Sequence, residues 1–397
     1  MNQTFFQNNQ QRIARTLKEG VLVVSAYTAL QGSKDAAFAF EQEANFWYLT
    51  GIDAPDWRLV LTNNDVWLVA PDIHSTHQVF EGSLSAEDAQ RISGVDKVLS
   101  HKEGESLLLE LAKQHTVVTS VGPDPRADHY DFVLNPGPVD MYRTLNQIFA
   151  QVVDCRSDLN LIRSIKQLQE IDTIRRAVGV TVDTFDCVKN KISQYNHEYQ
   201  IEADFSYDFR MTGSKGHAYD PIVASGKNAL TLHYTKNNDP LPKNGLVLID
   251  AGARVNGYCA DITRTYALGT PTKRQIAVHG AVEKAHHAII ALLGPEKSVK
   301  EYHEQVDDIM IEALKSLDLY KKPEDYRKYF PHAISHGLGV DVHDSLGNPT
   351  HFKAGMVLTV EPGIYIPEEG IGVRIEDDIL ITETGIENLS GALPTSL

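Results

Sequence analysis

Three histidines stand within the short stretch HAISHGLGVDVHD, as His332, His336 and His343. An imidazole side chain can bind a divalent metal, and it can hold or release a proton near neutral pH. A lone histidine is more often a hydrogen-bonded core residue, but several in one glycine-containing stretch favour a role in chemistry. If that role is metal binding, the sequence must also supply carboxylates.

Two carboxylates are placed by a predicted β-hairpin in the run LVLIDAGARVNGYCADITRT. Asn256-Gly257 is a strong signal for a two-residue turn that needs positive φ at both positions. With these residues at the turn, Gly252 faces Asp261, and Asp250 lies on the same face because side chains alternate with period two. The Cβ atoms of the two aspartates are then roughly 5–8 Å apart. We expect Gly252 to leave the space between them open.

A second predicted hairpin, in MVLTVEPGIYIPEEGIGVRIEDDILIT, contains Glu361 and Glu376. Glutamate is depleted on strands, and Arg374 lies two residues before Glu376, hence on the same strand face. The ordinary alternative is a surface Arg–Glu pair and a glutamate in a turn. In the first hairpin, the corresponding alternative is one aspartate that is exposed or caps a turn.

Together these residues match what two neighbouring divalent cations require. Two ions about 3.5–4 Å apart need bridging carboxylates, terminal ligands and a shared water molecule. Four carboxylates with one or two imidazoles supply such a set. The many oxygen ligands favour Mn²⁺, Co²⁺ or Fe²⁺ over a thiolate-type zinc site, and Zn²⁺ itself stays open.

The elements that position these residues predict an α+β C-terminal half. Its strand-like runs form hairpins, and helix-like runs lie between them, KRQIAVHGAVEKAHHAIIALL and VKEYHEQVDDIMIEALKSL. Hairpins with helices between them are typical of α+β domains.

The region from about residue 21 to 153 predicts an α/β domain. Short apolar runs indicate strands at VLVVSA, FWYLTG, WRLVLT and VWLVAP. Helices are predicted at SAEDAQRISG, with Ser85 as N-cap, and at GESLLLELAKQ.

A domain boundary is predicted near residue 160, which gives domains of residues 1–160 and 161–397. The second domain would open with a helix, because Ser164 and Gln167 fit a capping box. That helix is predicted to run toward Ile192. Its apolar face would contain Ile165, Leu168, Ile171 and Ile174.

Composition excludes several classes of protein. A chain of 397 residues suits two domains that bury their own cores. Its three cysteines include no CxxC pair, which argues against a disulfide framework and suits a reducing compartment. A net charge of −16 disfavours binding to nucleic acid or to anionic membranes. Since the sequence has no signal-peptide core and no apolar run of about 20 residues, we expect a cytoplasmic protein.

The C-terminal half also resembles the pita-bread metallopeptidases, specifically the branch of aminopeptidase P and prolidase. The matching runs, in the family's order, are IVASGKNALTLHYTKN, LVLIDAGARVNGYCADITRTYAL, HAISHGLGVDVHD, MVLTVEPGIYI and GVRIEDDILIT. The run FAFEQEANFWYLTGIDAPDWRLVL resembles the N-terminal domain of that branch. The resemblance implies a C-terminal pita-bread catalytic domain preceded by an α/β domain.

The resemblance implies five metal ligands for two divalent ions. They are Asp250, Asp261, His336, Glu361 and Glu376. Asp261 and Glu376 match the family's bridging carboxylates. The ions would be Mn²⁺ first, with Co²⁺, Zn²⁺ or Fe²⁺ as alternatives.

The other matching residues lie on the substrate side. His233 matches a histidine beside the scissile amide, and His343 one that hydrogen-bonds the tetrahedral intermediate. His332 matches a residue of the proline pocket, and Arg374 an arginine beside the metals. Tyr219 aligns with a tyrosine near the site.

The activity implied is hydrolysis of the Xaa-Pro bond at a peptide's N-terminus by a hydroxide shared between the metals. Glu361 would carry the proton to the prolyl nitrogen. A prolidase, restricted to Xaa-Pro dipeptides, is the alternative. A metal-free pita-bread binding protein is a remote one, because such relatives lack several ligands. The family also implies a homodimer or homotetramer.

Overall fold

The computed structural model describes residues 1–17, 20–125, 127 and 131–397. The chain divides into two compact units, Met1–Ile162 and Arg163–Leu397. Each unit is described by itself below. No helix in the described part of the chain is both long enough and apolar enough to cross a membrane.

The N-terminal unit combines helices with one mixed sheet. Its helices are α1 (Gln3–Ala14), α2 (Ala44–Thr50), α3 (Ser75–Phe80), α4 (Ala86–Ser93), α5 (His101–Gln114) and α6 (Pro136–Ile148). Its strands are β1 (Val21–Ser25), β2 (Arg58–Thr62), β3 (Val66–Val69), β4 (Lys97–Leu99), β5 (Val117–Ser120) and β6 (Gln151–Asp154).

The described strands of this unit form a six-stranded sheet in the order β4-β3-β2-β1-β5-β6. Strand β1 pairs with β2 in antiparallel fashion and with β5 in parallel fashion. Every residue of β1 is buried, as expected for a central strand covered on both faces. The α/β prediction for this half is confirmed. Ser85 caps α4 as predicted, since its side chain accepts a hydrogen bond from Asp88 N.

The predicted strand FWYLTG is wrong, because these residues belong to helix α2. The Glu43 side chain caps the helix by accepting a hydrogen bond from Phe46 N at 2.6 Å, and Gly51 ends it at a φ of 69°. Phe46, Tyr48 and Leu49 are all completely buried. A short helix buried on most sides has no helical periodicity, so the apolar run alone could not separate it from a strand.

The C-terminal unit contains both sets of predicted hairpins. Helix α7 (Arg156–Ser164) spans the boundary, and the later helices are α8 (Leu168–Lys191), α9 (Glu198–Met211), α10 (Lys273–Ile290), α11 (Val299–Ser316) and α12 (Glu324–Tyr329). The strands are β7 (Gly216–His217), β8 (Ile222–Ser225), β9 (Gly245–Ala251), β10 (Ala253–Val255), β11 (Tyr258–Cys259), β12 (Ile262–Leu268), β13 (Val357–Val360), β14 (Gly363–Ile366), β15 (Ile371–Arg374), β16 (Asp377–Ile381) and β17 (Ile386–Asn388).

The helix predicted to start at Ser164 begins later. Ser164 is the last residue of α7, and the capping box of α8 is formed by Gln167 and Glu170. Ile171 and Ile174 face the core as predicted, but Leu168 is 79% exposed. The chain breaks between the helices because Lys166 N donates a backbone hydrogen bond to Gly355 O instead of continuing the helix.

The first hairpin has the predicted register. Val255 pairs with Tyr258, and φ is 46° at Asn256 and 85° at Gly257, so both turn residues lie in the left-handed region. Farther from the turn, Thr263 pairs with Asp250.

Gly252 was expected to leave the space between Asp250 and Asp261 open, but the structure gives a different reason for glycine at this position. A Cβ atom at this position would lie 1.7 Å from Ala260 O. Glycine is therefore required by the close approach of the two backbones, and it does not open a gap between the aspartates.

The second hairpin is long and interrupted. Strands β14 and β15 pair near the turn, β13 and β16 pair farther out, and Glu361 and Glu376 fall between the two paired stretches. An isolated bridge joins Thr263 of β12 to Glu376, with Glu376 N donating to Thr263 O at 3.0 Å. This bridge brings the two hairpins side by side. Helices α10 and α11 contribute to the large apolar core of this unit.

Candidate metal centre

All ten residues predicted to form the site line one cavity of about 350 Å³ in the C-terminal unit. They are Tyr219, His233, Asp250, Asp261, His332, His336, His343, Glu361, Arg374 and Glu376. Asp250 lies on β9 and Arg374 on β15, and the other residues lie on segments that connect the strands and helices. The two hairpins and the histidine stretch therefore converge on one cavity. The convergence is a geometric finding, and the individual roles of these residues stay predictions.

Three carboxylates form the buried part of the cluster. Asp250, Asp261 and Glu376 are each no more than 6% exposed, and each offers an oxygen within 4.8 Å of the others. The hairpin register places the two aspartates here, and the Thr263–Glu376 bridge delivers the glutamate.

Two hydroxyl groups orient these carboxylates. The Tyr219 hydroxyl lies 2.5 Å from Asp250 Oδ1 and 2.6 Å from Asp261 Oδ1. Thr263 Oγ1 donates to Glu376 Oε2 at 2.7 Å. Such partners fix the direction in which each carboxylate presents its remaining oxygen lone pairs.

Arg374 connects the acidic cluster to Tyr365 and, through it, to His332. Its guanidinium pairs with Asp250 and donates to the Tyr365 hydroxyl at 2.9 Å. That hydroxyl also lies 2.9 Å from His332 Nε2. Because His332 Nδ1 faces the Ala333 carbonyl and must donate to it, Nε2 accepts the tyrosine proton. The chain of hydrogen bonds therefore holds His332 as a neutral imidazole.

His336 presents one ring nitrogen to the carboxylates. Its Nε2 lies 3.4 Å from Asp261 Oδ2 and 3.7 Å from Glu361 Oε1. Its Nδ1 lies 3.0 Å from Gly337 O, which can only accept a hydrogen bond. This contact keeps a proton on Nδ1, so Nε2 is the nitrogen that can bind a metal once it is deprotonated, the arrangement that ligating histidines usually have.

The other two histidines occupy the cavity rim. The rings of His343 and His336 pack edge to face, with centroids 4.4 Å apart. His343 and His233 are both exposed, unlike the cluster they face. They therefore lie at the opening of the cavity and are not part of the core.

Burial dominates the electrostatics of the acidic groups. It raises the pKa of Asp250 and of Glu376, and in each case neighbouring carboxylates add to the effect. Burial likewise raises the pKa of Glu361 to about 7, against the opposing charges of His336 and Arg374. For His336, burial by itself would lower the pKa, but the carboxylates of Asp261 and Glu361 outweigh it and raise the pKa to about 9.

The cluster has too few cations of its own. Four carboxylates meet one guanidinium and the imidazole of His336 in a largely buried site, and close carboxylates repel one another when ionised. Oxygen atoms with one imidazole are suitable ligands for divalent ions. The groups Asp250–Asp261–Glu376 and His336–Glu361–Glu376 can each hold an ion, and they share Glu376. The residues thus fit two neighbouring divalent cations.

Several residues of the site escaped the sequence analysis. Thr263 was visible only as the position opposite Asp250, and Tyr365 only as a strand residue. Asp378 accepts the Asp261 backbone N–H at 3.0 Å through one oxygen, while its other oxygen, Oδ1, is buried without a hydrogen-bond partner. The acidic run EDD in the second hairpin was the available signal for Asp378.

The family match defines the class of the protein as a metallopeptidase, in agreement with its α+β architecture and its carboxylate–imidazole cluster. Residues 172–383 match Metallopeptidase family M24, and residues 6–119 match the aminopeptidase P N-terminal domain. The chain therefore belongs to the aminopeptidase P family, and its C-terminal unit has the predicted pita-bread fold.

Relatives of known name match over nearly the whole chain. The Xaa-Pro aminopeptidase of Escherichia coli (strain K12) is 32% identical over 98% of this chain and 94% of its own length. Intermediate cleaving peptidase 55 of Saccharomyces cerevisiae is 30% identical over 96% of this chain and 80% of its own length. A structure of zinc-substituted E. coli aminopeptidase P with product superposes with a TM-score of 0.86, at 30% identity, over 100% of this chain and 96% of that one.

Proposed function

We propose that the protein is an Xaa-Pro aminopeptidase that removes the first residue of a peptide whose second residue is proline. The observation that carries the proposal is the convergence of a five-residue ligand set with three substrate-side histidines in one cavity. Membership of the aminopeptidase P family supports it, as does the E. coli relative of that name. We assign the N-terminal domain to residues 1–160 and the catalytic domain to residues 161–397.

The ligand set we assign is Asp250, Asp261, His336, Glu361 and Glu376, with two divalent cations, Mn²⁺ first among them. When bound, such ions lower the pKa of a water molecule and polarise the scissile carbonyl. Metal content and activity after loading with Mn²⁺, Co²⁺, Zn²⁺ or Fe²⁺ test the choice of metal.

Glu361 is the residue we assign to proton transfer. Its carboxylate lies at the edge of the cluster, 3.7 Å from His336 Nε2 and 3.5 Å from His332 Nδ1, so it reaches both the ligand side and the substrate side. It takes the proton from the attacking water and passes it to the prolyl nitrogen, which leaves as a secondary amine.

The rim histidines bind the substrate. His343 donates to the oxygen that becomes negative as the carbonyl is attacked, a contact that typically contributes about 3–4 kcal/mol. His233 steadies the scissile amide, and His332 forms a wall of the proline pocket. An Xaa-Pro nitrogen has no N–H, so this wall needs no acceptor for it.

Three peptides test the proposal with the Mn²⁺-loaded protein. We expect hydrolysis of Ala-Pro-Ala to alanine and Pro-Ala, and much slower hydrolysis of Ala-Ala-Ala. Cleavage of Ala-Pro without Ala-Pro-Ala would establish the alternative, a prolidase. Equal cleavage of Ala-Ala-Ala would remove the proline requirement. A cytoplasmic location and a homodimeric or homotetrameric state stay predictions from the sequence.

A further inference from the structure

A second cavity adjoins the first and is not used by the mechanism above. Its volume is about 500 Å³, and it shares His233 and Thr235 with the metal cavity. Its wall comes from the segment between β8 and β9, including the 3₁₀ helix Gly226–Leu230. A peptide bound with its scissile bond beside His233 therefore has space to extend into this second cavity.

The two cavities differ in charge. The metal cavity is lined by Asp220 in addition to the acidic cluster, whereas the second cavity is lined by Lys227 and Lys236. Both lysines are exposed, and neither pairs with a carboxylate among the described residues. In a chain with a net charge of −16, the residues that line this cavity include two unpaired ammonium groups and no carboxylate, and the carboxylates of Glu198 and Asp239 lie behind the lining, where they accept hydrogen bonds from Asn228.

The wall of the second cavity is held from beneath by one buried carboxylate. Glu198 Oε1 accepts hydrogen bonds from Ser225 N and Oγ and from Asn228 Nδ2, all at 2.8–3.0 Å. Its Oε2 accepts from the Tyr234 hydroxyl and from Asp239 N at 2.9 and 3.0 Å. The segment that carries both lysines and His233 is thus fixed before any ligand arrives, which lowers the entropic cost of binding.

Charge complementarity gives the direction of the peptide. A free peptide is cationic at its amino end and anionic at its carboxyl end. The acidic cavity suits the amino end, His233 lies at the junction, and the lysines face whatever follows the scissile bond. Charges at the rim of a binding site favour a ligand of opposite charge and disfavour a ligand of like charge.

We propose that Lys227 and Lys236 bind a carboxylate carried by the part of the peptide that follows proline. The carboxylate is the terminal one of a short peptide or the side chain of an acidic residue. The inference rests on the proposed function and extends it, because it makes the enzyme prefer short or acidic peptides over neutral, extended ones.

Matched peptides test the proposal with the Mn²⁺-loaded protein. Ala-Pro-Ala-Ala is compared with its C-terminal amide, and Ala-Pro-Ala-Asp-amide with Ala-Pro-Ala-Asn-amide. We expect kcat/KM to be roughly 3- to 10-fold higher for the charged member of at least one pair, through KM, with the preference shrinking in high salt. The first pair reports a terminal carboxylate and the second an acidic side chain.

The double variant Lys227→Met/Lys236→Met is expected to bring these ratios to about 1. A matched control, Lys243→Met/Lys284→Met, removes the same charge from exposed positions that line neither cavity and is expected to keep the wild-type ratios. Ratios near 1 in the wild type, or ratios unchanged in the cavity variant, overturn the inference and leave the proposed function intact. Failure of the wild type to cleave any of the four peptides overturns the proposed function instead.

Discussion

The carboxylates of the metal centre and the side chains of its rim are positioned by different means. The positions of Asp250 and Asp261 are fixed by the register of one hairpin. The same register holds on both sides of the close approach at Gly252, from the turn to Leu268. His233 and His343 stand on loops, and each loop is fixed by a buried ion or hydrogen-bond cluster beneath it. Glu198 holds the first loop.

The second loop is held by Asp344, the neighbour of His343. Its carboxylate lies 3.0 Å from Arg163 and 3.3 Å from Lys166, and all three side chains are at most 3% exposed. A strand register persists through many changes of side chain, whereas a loop held by one buried carboxylate, here called its anchor, loses its position when that carboxylate is replaced. We therefore expect substitutions in the two regions to have different effects. In the acidic cluster they should reduce metal binding and leave the fold intact. Beneath the rim loops they should reduce stability or displace the rim histidines, and leave metal binding intact.

The largest effect is expected from Asp261→Asn. It removes a carboxylate from the Asp250–Asp261–Glu376 group, and the same carboxylate forms a third candidate ion-binding group with His336 and His343. Bound metal should drop, and kcat/KM for Ala-Pro-Ala should fall by at least about 10³-fold, because charge stabilisation of several kcal/mol is lost. Metal content by mass spectrometry and the thermal unfolding midpoint are measured together.

Asp183→Asn, on the exposed face of α8, is the control and should change neither quantity. Full activity with normal metal content in Asp261→Asn would remove the dinuclear site from the proposal.

The next largest effect is expected from Asp344→Asn, as lost stability. Burial would raise the pKa of Asp344, but Arg163 and Lys166 outweigh it and hold that pKa below its usual value. A group with a depressed folded pKa stabilises the protein above its unfolded pKa of about 4, and this contribution is lost as the pH falls through the folded value. At pH 7 the free energy of unfolding of the variant should be roughly 3–4 kcal/mol lower than that of the wild type, because two buried cations lose a partner.

Urea unfolding between pH 3 and 7 checks this expectation, since the difference from wild type should narrow below about pH 4. Asp341→Asn is the matched control: it also contacts Arg163, but its side chain is 54% exposed, so about 1 kcal/mol or less is expected. A difference that stays constant with pH would contradict the ion-pair account.

The smallest effect is expected from Glu198→Gln. An amide cannot accept hydrogen bonds at its nitrogen, so at least one buried donor loses its partner, at a cost of about 1–3 kcal/mol. Misplacement of His233 should lower kcat/KM roughly tenfold while bound metal stays constant. Tyr234→Phe removes one donor and should give the weaker version of the same result.

Glu324→Gln serves as the control, because Glu324 is also the first residue of a helix but is exposed. Wild-type kcat/KM together with wild-type stability in Glu198→Gln would show that the loop does not depend on this anchor.

The sequence predicted the part of the site that the hairpins position, but not the buried carboxylates of Glu198 and Asp344 that hold the rim loops. A two-residue turn fixes a register, and a register fixes which side chains share a face, so Asp250 and Asp261 could be paired before any coordinates. The helix at Phe46 was missed because burial on most sides removes the periodic signal. The start of α8 was misplaced because the local capping signal favours Ser164, whereas the hydrogen bond from Lys166 N to Gly355 O, which forms only in the completed fold, separates α7 from α8 at this point.

The anchors were missed for a different reason. Lys166 and Asp344 are separated by 178 residues, and nothing in the local sequence of either indicates a buried partner. Glu198 opens a helix, where an exposed glutamate is common, so its five-donor environment has no sequence signature. Contacts between distant loops depend on the completed fold, whereas strand alternation does not.

The collision that a Cβ at position 252 would make with Ala260 O has a practical consequence for anyone redesigning this enzyme. At this position the two aspartate-bearing strands are separated by main chain against main chain, with no room for a side chain between them. A saturation library at this position should return only glycine, while positions 256 and 257 should also accept the other pairs that tolerate positive φ at both residues, Asp-Gly and Gly-Gly. If Asp250 and Asp261 bind metal as proposed, their spacing follows from the pairing of the two strands, and substitutions around them are the more promising way to change metal preference.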